Sequence, residues 1–534
     1  MKNIFLILTS IALITGVGCK KGYLDVNKNP NQSTAADPGT VLPSALVATV
    51  AQWYPGPTAH SGWLGSWSIS GSYAISSTDF STYKMTTDFA DPSGNPNSVN
   101  NVWSTTYDNL EDYQYVQDKS SSTSLPFLEG AARIMKAYQF QHLVDLFNDV
   151  PYTDALKGPL SLRPTYTKGM VVYDSLFKEI QKGITLIKNA GITAPGNQDI
   201  MFGGDKTKWV QFANTVRLRM LLRMSELTAK PAFFQPNLDL TKNEAAGFLT
   251  ADALVQPGYS NSAGKGNPFW QRFYDLSGGL VSSFGDFWAP HVFAVNFYKN
   301  NNDPRKSREY IGIKYPLTYV GTTLGATNGN PTQGNYSFFG PGVLQGYTTL
   351  KDINGQDSIF NRNPAAGSSA PAVMMLASES YFLQAEAAVL GYVPGDAQSL
   401  YQQGITASFV YLGATSQSAS TYYSQSGNPQ VDFTTATTVL AKQTIILRQK
   451  WAALNSINSF EAYADYRRFD YLHTGTPPYP GPLGNTPLSV SPFIDIPKIP
   501  LRYKYPTSEY SKNPDNVLAE GNIDHQTGKI FWIR

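Results

Sequence analysis

The feature that most constrains this chain is a long loss of helical periodicity between two helical blocks. Apolar residues recur three or four apart over 101–118, 125–147, 171–189 and 207–227. Trp209, Phe212, Val216, Met220 and Met224 give the strongest run. From 228 to 372 that rhythm disappears, and Gly, Asn, Pro and aromatic residues recur instead. It returns over 374–390, 396–410, 437–454 and 460–471, until Pro477, Pro478, Pro480 and Pro482 stop it. A further helical pattern, led by Leu42, Leu46 and Val50, precedes a loop-rich stretch over 55–100. The expectation is a mainly α protein: a helical scaffold over 101–227 and 374–471, carrying irregular regions over 55–100 and 228–372. An aperiodic block of that length inside a compact domain is usually functional.

Composition narrows the chemistry of the irregular half. Aromatic residues make up 13% of the 534 residues and charged residues only 15%, with a net charge of +2. That balance argues against nucleic acid, whose binding proteins carry a basic excess. Many Tyr and Trp beside uncharged amides and hydroxyls suit contact with neutral polar ligands, carbohydrate above all.

The start of the chain reads as an export signal over 1–18. Lys2 supplies the positive end, and Ile4 to Ile14 is an apolar run too short to span a bilayer. Gly16-Val17-Gly18 then leads to Cys19, the single cysteine. A lone cysteine after small residues has the form of a bacterial lipoprotein acceptor, with cleavage before Cys19 and a diacylglycerol on its thiol. Gly16 stands where such sites usually carry Leu. Residues 19–40, polar and rich in Asn and Lys, read as a tether to one body over 41–534.

Tyr381-Phe382-Leu383-Gln384-Ala385-Glu386-Ala387-Ala388-Val389-Leu390-Gly391, a short turn, and Tyr401, Ile405 and Phe409 have the grammar of a tetratricopeptide-type helix pair. With further segments, the chain resembles the SusD/RagB family, the nutrient-binding outer-membrane lipoproteins of Bacteroidota. These segments are Tyr23 to Asn31, Trp209 to Arg219, Asn302-Asp303-Pro304-Arg305, Ser378 to Ala387, Arg467-Arg468-Phe469-Asp470-Tyr471 and Ile496 to Pro500. The resemblance implies a tetratricopeptide-like scaffold of about eight helices in four pairs, with a large loop-rich half carrying the ligand surface. It implies no catalysis and no cofactor. It implies a cell-surface protein that captures oligosaccharide, or peptide in some members, for a SusC-like TonB-dependent transporter.

Two aromatic clusters are the candidate ligand sites. The first holds Trp63, Trp67, Tyr73 and Asp79. The second holds Trp270, Arg272, Tyr274, Asp275 and Trp288. Rings would stack on the C–H faces of a sugar, while carboxylates and guanidinium hold its hydroxyls. The competing reading is that these loop rings fold inward as the core of the irregular half. Trp103, Trp209 and Trp451 sit in helical pattern and read as core. No HExxH, GxSxG, P-loop or GxGxxG occurs, and His60, His142, His291, His473 and His525 lack metal spacing. A glycoside hydrolase needs only two suitably placed carboxylates, so that alternative stays open. Asp91 to Asn95 lacks the spacing of a calcium loop and reads as a turn.

Overall fold

Side-chain caps and close glycine contacts set the helices where the periodicity places them. The computed structural model describes residues 36–54, 58–71, 79–86, 99–191, 198–281, 287–313, 317–332, 334–351, 357–470, 489–495 and 498–534. Cys19 and Tyr73 therefore lie outside the described residues. The main helices are α1 Pro38–Trp53, α2 Val99–Ser122, α3 Pro126–Phe147, α4 Gly169–Asn189, α5 Lys206–Arg223, α6 Ala377–Val389, α7 Ala397–Tyr411, α8 Val439–Leu454, α9 Ser459–Asp465, α10 Thr507–Lys512 and α11 Pro514–Ala519. Asp205 caps α5 by accepting from Lys208 N at 3.1 Å, and Asp396 caps α7 through Ser399 N at 2.7 Å.

Successive helices pack side by side: α1 on α2, α2 on α3, α3 on α4, α4 on α5, α5 on α6, and α6 on both α7 and α8. This is the tetratricopeptide-like scaffold that the resemblance implies. Glycines permit the closest crossings. A Cβ at Gly130 of α3 would stand 2.8 Å from the Gly183 carbonyl of α4. One at Gly404 of α7 would stand 2.9 Å from the Phe382 ring of α6. In the α6–α7 pair, Gly391 serves instead as the turn, with φ +71°.

The block from 228 to 372 is less featureless than its sequence. It holds helices over Phe234–Lys242 and Val292–Asn300 and several two-stranded ladders. Six short strands matter here: β1 Trp67–Ile69, β2 Val150–Pro151, β3 Tyr166–Thr167, β4 Ala253–Val255, β5 Trp288–Pro290 and β6 Ala372–Met375. They pair antiparallel as β1 with β5, β2 with β3, and β4 with β6.

Buried charge joins the scaffold across its helices. Arg223 of α5 reaches Asp145 of α3 at 3.1 Å and Glu461 of α9 at 2.7 Å. Arg219 reaches Glu379 of α6 at 3.3 Å and Glu461 at 3.4 Å. Lys450 of α8 meets Asp465 at 2.9 Å. Arg468 meets Glu386 at 2.6 Å and Asp465 at 2.9 Å. Removing one partner strands the others without water, so Glu461→Ala is expected to cost about 3–5 kcal/mol in denaturant unfolding.

His60, His142 and His291 are buried and held neutral. Burial depresses all three, to about 3 for His142 and His291. The unfolded chain binds protons at these sites below about pH 6.5, whereas the native chain does not. Their stability is thus full above that pH and is lost as pH falls toward 3. Melting temperature measured from pH 7.5 to 4.5 should fall, with proton uptake on unfolding.

Candidate ligand-binding surface

The two aromatic clusters predicted from sequence meet, but they meet inside the protein. Trp67 lies in β1 and Trp288 in β5, with ring centroids 5.7 Å apart. Trp67 also packs on Phe269 at 6.2 Å, Phe273 at 5.8 Å and Phe339 at 4.9 Å. Its Nε1 donates to Ser456 Oγ at 2.9 Å, which ties the irregular half to the scaffold beyond α8. Trp63 donates to the Phe80 carbonyl at 3.1 Å. Trp63, Trp67 and Trp288 are wholly buried.

Trp270 is held by shape. A Cβ at Gly346 would stand 2.2 Å from its ring, and one at Gly367 would stand 2.3 Å from it. Among the described residues its indole Nε1 has no acceptor, and the two glycine faces and Tyr274, at 4.5 Å, fix its place. Tyr274 is buried and bonds hydroxyl to hydroxyl with Tyr347. Trp63, Trp67, Trp270, Tyr274 and Trp288 thus pack as aromatic core, as the competing reading of these rings has it. The reason is that large rings gain by leaving water and by packing edge to face on neighbouring rings.

The polar members of the second cluster are also occupied locally. Arg272 donates to the Ala51 carbonyl of α1 at 2.7 Å. Asp275 is exposed and closes its own turn, accepting from Ser277 N and Gly279 N at 2.8 Å each. The Ser277 hydroxyl and then the Gly279 amide hold its carboxyl below the usual range. Asp79 opens a one-turn helix, Asp79–Thr82.

An open cleft of about 290 Å³ lies elsewhere, between α2, the segment over 151–164, and α10. Its floor is aromatic. Trp103 packs against Tyr107 at 5.1 Å, Tyr166 at 6.2 Å and Tyr505 at 5.8 Å. Glu509 of α10 is oriented by three donors: Trp103 Nε1 at 3.1 Å, Tyr166 OH at 2.8 Å and Asn513 Nδ2 at 3.4 Å. Tyr107 donates to the Pro151 carbonyl at 2.7 Å. Burial, then the Glu509 carboxylate and Tyr505, push its phenol well above the usual range. Asp108, Glu111, Lys157 and Lys512 stand at the rim with Ser104, Ser161 and Ser508. Burial, and then Asp108, raise the Glu111 carboxyl. Such a site offers ring faces and many fixed hydrogen-bonding groups, as small polar ligands require.

Sequence reasoning missed this cleft. Trp103 is buried, as its helical pattern says, yet it also lines the cleft. The only signal was the density of Trp103, Tyr107, Asp108 and Glu111 on one helix. Among the described residues, no group of three or more His, Cys, Asp or Glu is placed to hold a metal ion. No described helix is long and apolar enough to cross a membrane.

A family model described as "Starch-binding associating with outer membrane" matches residues 30–506, and the chain belongs to this SusD-like family. Its fold is similar to that of a SusD homolog from Bacteroides uniformis, at 24% identity and a TM-score of 0.68, over 93% of this chain and 99% of that one. It is similar to a chitin-binding SusD homolog from Flavobacterium johnsoniae, at 20% identity and a TM-score of 0.67, over 92% and 98%. A SusD-like protein from Bacteroides thetaiotaomicron matches at 20% identity and 0.68, over 93% and 98%. No curated protein matches the chain.

The glycine clamp gives a direct test of the aromatic core. Gly367→Ala places a methyl against the Trp270 ring and is expected to destabilise by about 1–3 kcal/mol, read by denaturant unfolding.

Proposed function

We propose that this protein is a non-catalytic glycan-capturing lipoprotein of the outer membrane, which passes its ligand to a SusC-like TonB-dependent transporter. The observation that carries the reading is the family match over residues 30–506. The export signal and Cys19 supply the anchor. The cleft at α2 and α10 supplies a ligand site, with Tyr107 at its aromatic wall and Glu509 as an oriented acceptor. The work is capture, so modest affinity at one site suffices when a polymer offers many repeats.

Calorimetric titration of residues 20–534 with a panel of oligosaccharides and peptides tests this. Heat from one glycan class, with no new reducing ends, is the expected result. New reducing ends would show a hydrolase, and heat from peptides alone would show a peptide-capturing protein. Tyr107→Ala should weaken glycan binding about fivefold or more, since a lost ring contact costs about 1 kcal/mol or more, and should also lower the melting temperature, because the ring packs on Trp103 and its hydroxyl bonds the Pro151 carbonyl. Unchanged affinity in that variant would remove the cleft from the site.

A further inference from the structure

Next to the cleft, the chain holds two leucines out into water. Leu160 is 91% exposed and Leu162 79% exposed. They sit on a loop that is braced at its base. Asp154 accepts from Lys157 Nζ at 3.0 Å and from Thr165 Oγ1 at 2.5 Å, joining the two ends. Asn513 and Asn516, at α11, donate to the Pro164 carbonyl at 2.9 and 3.3 Å. Gly158, at φ +54°, and Pro159 fix the turn before Leu160. A braced turn cannot fold its leucines back, so their exposure is built in.

The cations nearest in sequence bracket the pair. Lys157 precedes it and Arg163 follows it, both largely exposed. Asp515, the partner of Arg163, is also exposed, so that pair is weak and open to exchange, while Lys157 keeps its bond to the half-buried Asp154. Two apolar tips flanked by long cationic side chains match a bilayer interface: the leucines enter the acyl boundary and the cations stay among phosphates.

The point at which the anchor segment enters agrees. The Tyr115 hydroxyl of α2 donates to the Ala36 carbonyl at 2.6 Å. Glu111, one helical turn earlier, lines the cleft together with Lys157, Gly158 and Ser161. The chain therefore enters on the flank of α2 beside this loop. Cys19 lies 17 positions before Ala36, a reach of at most about 60 Å.

We propose that the loop over 157–163 is a membrane-contacting wedge, in which Leu160 and Leu162 insert into the lipid leaflet that holds the protein's own anchor. This rests on the reading of Cys19 as lipidated. Because lipidation consumes the only cysteine, Leu160→Cys would add the single free thiol of the mature protein. A nitroxide there, in protein on vesicles of phosphatidylethanolamine and phosphatidylglycerol, should become more accessible to oxygen and less so to a nickel chelate. The same label at Val410, exposed on α7, should not shift. Residues 20–534, which lack the anchor, should also partition onto these vesicles, and Leu160→Ser with Leu162→Ser should reduce that partition roughly tenfold. A label as accessible to nickel on vesicles as in solution would overturn the proposal. So would shielding seen only in native membranes that contain a transporter, which would show a protein contact. A mature mass without diacylglycerol would refute the anchor alone, because the partition of residues 20–534 is measured without it.

Discussion

Arg219 and Arg223, set one helical turn apart on α5 and wholly buried, are the interaction on which the scaffold depends. Between them they draw carboxylates from α3, α6 and α9 into contact. Desolvating so many charges is costly, and well-packed apolar side chains would stabilise as much or more. What the ions supply is geometry. Each guanidinium accepts few arrangements of its partners, so helices that would otherwise slide along apolar faces are held at one register. A second buried pair repeats the device: Arg305 meets Asp303 at 2.6 Å and donates to Gln449 of α8 at 2.8 Å.

Several segments that carry the family resemblance supply buried charges. Arg219 ends the Trp209 run, Asp303 and Arg305 belong to the Asn302 run, Glu379 and Glu386 to the Ser378 run, and Arg468 to the Arg467 run, whereas Arg223, Asp145 and Glu461 lie outside them. The resemblance thus marks how the scaffold locks rather than what it binds. Loops and clefts are left free to differ, and this suits a fold shared with proteins at 18–24% identity.

Helix positions were legible because apolar spacing survives in α2 to α8, with ends shifted by only a few residues. The ladder of short strands was not, since two- and three-residue strands leave no period to read. Buried arginines were also hidden: charges at helical spacing look like a solvated face until a partner appears from another helix. The burial of the aromatic clusters was hidden for a related reason. Trp67 and Trp288 are 221 positions apart in the chain, yet their rings meet 5.7 Å apart where β1 pairs with β5. A loop ring reads alike whether it meets sugar or another ring. The cleft needed α2 and α10, some 400 positions apart, to be brought together.

Asp145 carries a consequence for how the molecule comes into being. Its carboxylate receives Arg223, 78 positions later, and Trp532, 387 positions later. Stacked-repeat proteins can assemble unit by unit, each repeat resting on the last. Here an early helix holds a charge that takes a near partner, Tyr173, but is fully satisfied only when distant chain arrives. Contacts of such wide separation slow folding, because a long loop must close before they form.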